Sequence, residues 1–175
     1  MKINVVTNIP FPLADVFAAT RDHMPELAAF MPNIDSIEVE SRTENDDGSV
    51  ELVNRWSSAS TEIPAAARSL IDASSIYWLD HAHWKPGETR CSWRLEMGFM
   101  ADRIDCSGTT AYTAISESET AMSIEGELKL DLKGLVPRLM LGPVTKGIER
   151  FVSKLVQPNF QKTSDALTAY LRSQS

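Results

Sequence analysis

Residues 120–132 read TAMSIEGELKLDL, and this stretch decides the fold. Apolar and polar residues alternate along it with a period of two, which is typical of a β-strand with one buried face and one face in water. Sheets that expose one face are commonly antiparallel. We therefore expect an antiparallel sheet that needs a cover on its apolar side, which in this strand carries Met122, Ile124, Gly126, Leu128, Leu130 and Leu132.

Similar alternation occurs earlier in the chain, in segments that turn residues separate. Pro10 and Pro12 end a first short strand, and Asn45-Asp46-Asp47-Gly48 is a strong signal for the turn of a hairpin. Lys85-Pro86-Gly87 predicts a second tight connection. Together with 120–132, these signals predict about seven strands, the others covering 2–8, 34–44, 50–56, 76–84, 89–98 and 103–115.

Helical spacing of apolar residues appears in two regions. Residues 13–30 carry it with an interruption near Asp22 and Pro25, which predicts two short helices in a V. After Pro143 it continues past Pro158, which predicts one kinked helix or two nearly collinear helices. The stripe of this C-terminal helix begins with Ile148, Phe151, Val152, Leu155 and Val156.

Composition limits the class of protein. The chain has 175 residues, of which 43% are hydrophobic and 23% charged, as in an ordinary globular protein, and we expect one domain over 1–175. The net charge of -7 argues against a nucleic-acid partner. Cys91 and Cys106 are expected to be buried thiols. The N-terminus lacks a secretory pattern, which predicts a cytoplasmic location.

The order of the predicted elements indicates the fold class. A strand, two short helices, six further strands and a long helix do not alternate as parallel βαβ units do. We therefore expect an α+β fold, in which a curved antiparallel sheet of about seven strands wraps around a long C-terminal helix.

Three local features accompany this order. The first strand runs through PFPLADVF at 10–17 into the helix pair, MPNI at 31–34 leads into the sheet, and a Gly- and Leu-rich approach at 134–142 precedes the last helix. Over essentially its whole length the chain resembles the START-like helix-grip (SRPBCC) superfamily, which includes polyketide cyclase-like proteins and lipid-transfer domains. The resemblance implies an internal cavity for a ligand, and it identifies neither the ligand nor a catalytic residue.

The alternation in each strand predicts which side chains face the enclosed space. Most are apolar, a few are polar, and Gly126 inside a strand suggests unfilled volume. Such a wall suits a ligand pocket of roughly 300–1,000 Å³, although each aromatic or leucine side chain taken singly also fits ordinary core packing. The expected ligand-binding residues are Leu52, Asn54, Trp56, Trp78, Trp93, Leu95, Met97, Thr110, Tyr112, Ile124, Leu128, Phe151 and Leu155.

Strand 76–84 admits two registers. In the first, Trp78, Trp84 and Asp80 face inward; in the second, His81 and His83 do. A slip by one residue exchanges the two faces of a strand. The first register is favoured because it buries two indoles.

Acid–base chemistry has its candidates in the same strand. His81 or His83 could act with Tyr112 or Asp80, as a polyketide cyclase or dehydratase would require. The two histidines share one face of the strand, but a catalytic zinc commonly takes a third protein ligand and no convincing one is present. We expect no metal and no cofactor.

Three functional hypotheses follow. The leading one is a non-catalytic protein that binds or carries a hydrophobic small molecule or lipid, with 61–73 and 133–142 gating the cavity. The second is the cyclase or dehydratase. The third is lipid transfer at an anionic membrane surface through transient contact by 133–154, because residues 133–162 carry a net charge of +5 on an otherwise acidic chain.

Overall fold

A computed structural model describes residues 1–59 and 70–174 of the chain. Its seven strands form one curved antiparallel sheet in the order β1-β7-β6-β5-β4-β3-β2, which confirms the predicted α+β architecture. Most of the segment 61–73, for which helical turns and a lid were predicted, lies outside the described residues. The strands are β1 (Lys2–Ile9), β2 (Ile34–Glu44), β3 (Val50–Ser58), β4 (Tyr77–Trp84), β5 (Arg90–Met97), β6 (Ile104–Ser116) and β7 (Glu119–Leu130).

Two short helices follow β1, as predicted. They are α1 (Leu13–Asp22) and α2 (Met24–Leu27), and a 3₁₀ turn over Ala28–Phe30 continues the second. Pro25 occupies the first turn of α2, where its missing N–H is not needed. A further 3₁₀ turn covers Ala73–Ser75, just before β4.

The long C-terminal helix, α3 (Leu141–Gln174), packs against the inner face of the sheet. It is one helix of 34 residues with Pro158 inside it. It begins at Leu141, three residues before the predicted start after Pro143, and Pro143 lies in its first turn, where proline is tolerated. The apolar stripe that starts at Ile148 is buried. Within the described part of the chain, no helix is long and apolar enough to cross a membrane.

A pair of glycines brings one indole unusually close to the sheet. Gly108 and Gly126 lie opposite each other in β6 and β7, and Gly108 is also the partner of Trp93 in β5. A Cβ atom added at Gly126 would lie 2.7 Å from Cη2 of Trp93, and one added at Gly108 would lie 2.5 Å from Cζ2. The expectation that Gly126 marks unfilled volume is therefore wrong, because the Trp93 ring occupies that space.

Candidate functional site

A pocket of about 80 Å³ lies between the inner face of the sheet and the second half of α3. The strands supply most of its wall, and Thr20 and Met24 reach it from the two short helices. From α3 come Val156, Asn159, Phe160 and Thr163. The pocket is smaller than the roughly 300–1,000 Å³ expected from the sequence, because large aromatic side chains occupy much of the space under the helix.

All four tryptophans of the chain line this pocket. Trp56 stacks on Trp78 across β3 and β4, with ring centroids 5.6 Å apart. Trp84 stacks on Tyr112, and Trp93 lies against Phe160 at 5.1 Å. The alternation that places these indoles on one face of the sheet therefore forms an aromatic wall.

A polar spot interrupts the aromatic wall. Asn54 in β3 and Asp80 in β4 are direct cross-strand partners, and both line the pocket. Within the described residues, their Oδ1 atoms and the indole Nε1 atoms of Trp56 and Trp84 are buried without a hydrogen-bond partner. The Nε1 of Trp93, in contrast, donates to Oγ1 of Thr110 at 3.1 Å. Each buried polar group without a partner costs about 1–3 kcal/mol of folding stability. The presence of these four atoms in one pocket therefore needs a physical reason.

Burial also shifts the proton equilibria of this site. It raises the pKa of Asp80 from 3.8 to about 7, because a carboxylate in apolar surroundings loses its hydration. Burial raises the pKa of Tyr112 above its usual range as well, although the Thr20 hydroxyl acts in the opposite direction. The pKa of the Cys91 thiol is raised by burial and further by the nearby Asp80 charge. Near neutral pH, Asp80 is the group among these that can change its charge.

The histidines of β4 lie on the other face of the sheet. Nε2 of His81 lies 3.2 Å from Oε2 of Glu96, and Nδ1 of His83 lies 3.7 Å from Oε1 of Glu51. Neither imidazole lines the pocket. Strand β4 thus adopts the register in which Trp78, Asp80 and Trp84 face inward, and strict alternation then turns the histidines outward.

The thirteen residues predicted to bind the ligand fall into two groups. Nine line the pocket: Leu52, Asn54, Trp56, Trp78, Trp93, Leu95, Thr110, Tyr112 and Ile124. Met97, Leu128, Phe151 and Leu155 are buried in the core outside the pocket lining. Phe151, for example, packs against Phe99 with centroids 5.7 Å apart. The pocket begins on α3 only at Val156, so the earlier helical residues fill core instead.

Several lining residues were missing from the predicted set. Cys91 and Met122 face inward by the strand alternation although they are not in the predicted ligand-binding set, and extending the alternation along 76–84 adds Ala82. Phe160 and Thr163 continue the apolar stripe of α3. Thr20 and Met24 belong to the helical spacing of 13–30, but that spacing does not place them in the wall, because their position there depends on how the short helices cross the end of the sheet.

Comparison with known proteins supports this architecture. No protein-family model and no curated protein matches the chain. Among solved structures, an aromatase/cyclase from Streptomyces sp. R1128 superposes with a TM-score of 0.64 at 13% identity, over 97% of this chain and 92% of that one. A START superfamily protein from Mycobacterium smegmatis gives 0.56 at 11%, over 99% of each chain.

A norcoclaurine synthase from Thalictrum flavum, solved in complex with dopamine and hydroxybenzaldehyde, superposes with a TM-score of 0.58 at 10% identity. It matches over 100% of this chain and 88% of that one. At such identities the likeness establishes the fold and not the activity. The element order, the curved sheet around α3 and these superpositions together show that the chain has the START-like helix-grip fold.

Proposed function

We propose that this protein binds a hydrophobic small molecule in the pocket under α3 and acts as a carrier rather than as an enzyme. The observation that carries the proposal is the apolar, aromatic wall around four buried polar atoms that have no partner among the described residues. Binding sites for small molecules characteristically combine a mostly apolar lining with a few polar groups that orient the ligand. A bound ligand would supply the missing hydrogen bonds.

The size of the pocket limits what enters without rearrangement. About 80 Å³ accommodates a few water molecules or a compact group. A ligand with one or two aromatic rings would require side chains to move, and Phe160 of α3, which is only partly buried, can do so without unfolding a strand.

A carrier is favoured over a cyclase or dehydratase because the imidazoles do not reach the pocket. Among the described residues, the groups left for acid–base work inside it are Asp80, Tyr112 and the Cys91 thiol. Burial keeps Tyr112 and Cys91 protonated by raising their pKa values. A positioned base with a suitable pKa is therefore limited to one carboxyl group.

Filling the pocket should weaken ligand binding. Ala82 lines the pocket, so Ala82→Phe places a ring in the free space. We expect 2-naphthol to bind the wild-type protein in isothermal titration calorimetry and to raise its unfolding temperature, since a ligand specific for the folded state stabilises it by RT ln(1 + [L]/Kd). Ala82→Phe should bind at least roughly tenfold more weakly, which corresponds to about 1.4 kcal/mol.

The control for this substitution is Ala114→Phe, which adds the same ring at an exposed position of β6. It should leave 2-naphthol binding unchanged. Absence of both heat and thermal shift in the wild-type protein would contradict binding in the pocket.

We also propose a second role, contact with an anionic membrane surface, because apolar side chains are exposed at the start of α3. Leu139 is 96% exposed and Met140 is 54% exposed. Lys133 and Arg138 are exposed in the same stretch. Exposed apolar groups beside cations favour the interface of anionic bilayers. Contact there would place one end of α3 at the lipid surface.

Acidic substitutions at this site should weaken vesicle binding. We expect Leu139→Glu combined with Met140→Glu to lower sedimentation with phosphatidylserine-containing vesicles by roughly tenfold. The double variant loses two apolar contacts with the bilayer and gains two negative charges that the anionic lipid repels. Val39→Glu with Ile115→Glu is the matched control, since those residues are 50% and 51% exposed on β2 and β6. Equal loss in both double variants, or wild-type binding that is independent of salt, would contradict this role.

A further inference from the structure

The charge and hydrogen-bonding character of the pocket narrow the class of ligand. Within the described residues, Asp80 is the one charged side chain in the lining, and neither lysine nor arginine faces the pocket. Four indole rings line the same space. Aromatic faces carry negative electrostatic potential and attract cations. The Asp80 carboxyl and the aromatic rings of this wall therefore favour a positive group.

From these observations we propose that the pocket recognises a hydrophobic amine, with its ammonium group held by Asp80 and Asn54 beside the tryptophan faces. This inference rests on the proposed function and specifies its ligand class. The unpartnered Oδ1 atoms of Asp80 and Asn54 are both hydrogen-bond acceptors and lie on adjacent strands in direct register. An ammonium has three donors and no acceptor, so it can satisfy both atoms at once.

Other ligand classes fit this arrangement less well. A carboxylate or phosphate would meet the Asp80 carboxyl, and no cation among the described lining residues would compensate its charge. Beside the charged form of Asp80, a single hydroxyl donates one hydrogen bond and would leave either Asp80 or Asn54 unpaired. The indole N–H groups of Trp56 and Trp84 are donors, and they are compatible with an oxygen elsewhere in the same amine or with water.

A change in the protonation of Asp80 gives an independent test of whether the bound ligand is an amine. Its pKa is raised to about 7 by burial, and a cation bound beside the carboxylate favours the charged form. Binding of an amine at pH 6 should therefore release a proton from Asp80. Binding of a neutral ligand should not.

Three single-ring probes of similar shape test this assignment: benzylamine, benzyl alcohol and benzoate. We expect calorimetry with the wild-type protein to show benzylamine binding at least tenfold more tightly than benzyl alcohol, and benzoate binding most weakly. Repeating the benzylamine titration at pH 6 in two buffers of different ionisation enthalpy should reveal the released proton. In Asp80→Asn, benzyl alcohol binding should persist, while the preference for the amine and the proton release disappear.

The control Asp105→Asn removes an exposed aspartate from β6 and should keep the amine preference. Equal affinity for benzylamine and benzyl alcohol in the wild-type protein would overturn the amine assignment and leave pocket binding intact. A preference for the amine that survives Asp80→Asn would also overturn it. If none of the probes binds and 2-naphthol does not bind either, both the amine assignment and the proposed function fail.

Discussion

Replacing Asp80 with asparagine should stabilise the protein at pH 8 by up to about 4 kcal/mol, and by less than about 1 kcal/mol at pH 4. The pKa of this carboxyl is raised by burial from 3.8 to about 7. A shift of one pKa unit corresponds to about 1.36 kcal/mol. The full shift from 3.8 to about 7 therefore sets the upper limit of the gain.

The pH window follows from the direction of the shift. Between about pH 4 and pH 7 the folded protein keeps a proton on Asp80 that the unfolded chain has released. The contribution of Asp80 to stability therefore falls as the pH rises through this range, and it becomes constant above the folded pKa. Cys91 and Tyr112 beside it stay neutral in this window, because their pKa values are also raised.

Urea denaturation of the wild-type protein and Asp80→Asn at several pH values between 4 and 8 measures this effect. The difference between the two proteins isolates Asp80 from the other titrating groups. Asp105→Asn, at an exposed position, should change stability by less than about 0.5 kcal/mol at either end of the range. A difference between wild type and Asp80→Asn that does not vary with pH would contradict the assigned environment of the carboxyl.

A gain in stability on replacing Asp80 would indicate that this carboxyl serves ligand binding rather than folding. Sites that bind ligands often keep groups that lower the stability of the empty protein, and replacing those groups raises stability at the expense of function. Asp80 fits this pattern because it has no cation or hydrogen-bond donor beside its Oδ1 atom within the described residues. The stability gain and the loss of amine preference should therefore occur in the same variant.

Gly108→Ala should destabilise the protein by about 3 kcal/mol, the upper range for overpacking a tight site. The added Cβ would approach the backbone oxygen of Glu125 and lie 2.5 Å from Cζ2 of Trp93. The backbone oxygen belongs to the adjacent strand β7, which cannot withdraw without loss of its pairing. The displaced Trp93 ring would also intrude on the pocket and weaken 2-naphthol binding.

Thermal and urea denaturation of Gly108→Ala and Gly142→Ala provide the comparison. Gly142 lies in the first turn of α3, and nothing lies within 4 Å of an added Cβ there. Gly142→Ala should therefore be neutral or stabilise the protein by up to about 1 kcal/mol, as alanine does in helices. Combining Gly108→Ala with Trp93→Phe should recover part of the loss, since a smaller ring gives space. Similar stabilities for the two alanine variants would refute the close packing of Trp93.

Most of what could be predicted about the site came from the alternation of apolar and polar residues along the strands. The favoured register of 76–84 followed from the cost of exposing two indoles, and the structure places Trp78 and Trp84 inside. The same reasoning brought Asn54 and Asp80 to the inner face. Alternation could not tell whether an inward residue borders free space, so Leu128 and Met97 were assigned to the pocket although they lie in filled core.

The reason for a glycine at position 126 also became clear only from the tertiary structure. A glycine inside a strand is compatible with empty space or with the close approach of another group. The residue that approaches, Trp93, is 33 positions earlier in the chain and lies in a strand that is not adjacent to β7. Periodicity within one strand cannot report such a contact.

By itself, the sequence determined the order of the elements, the face of each strand and the helical stripe, because these depend on local periodicity and on turn chemistry. Only the tertiary structure decided where the pocket lies along α3, how far the aromatic rings fill it, and which polar atoms remain without partners. Those properties depend on side chains from strands and helices that are distant in the sequence and meet around one small volume. The pairing of Asn54 with Asp80, set by the register between β3 and β4, is therefore the feature of the site that most needed the folded structure.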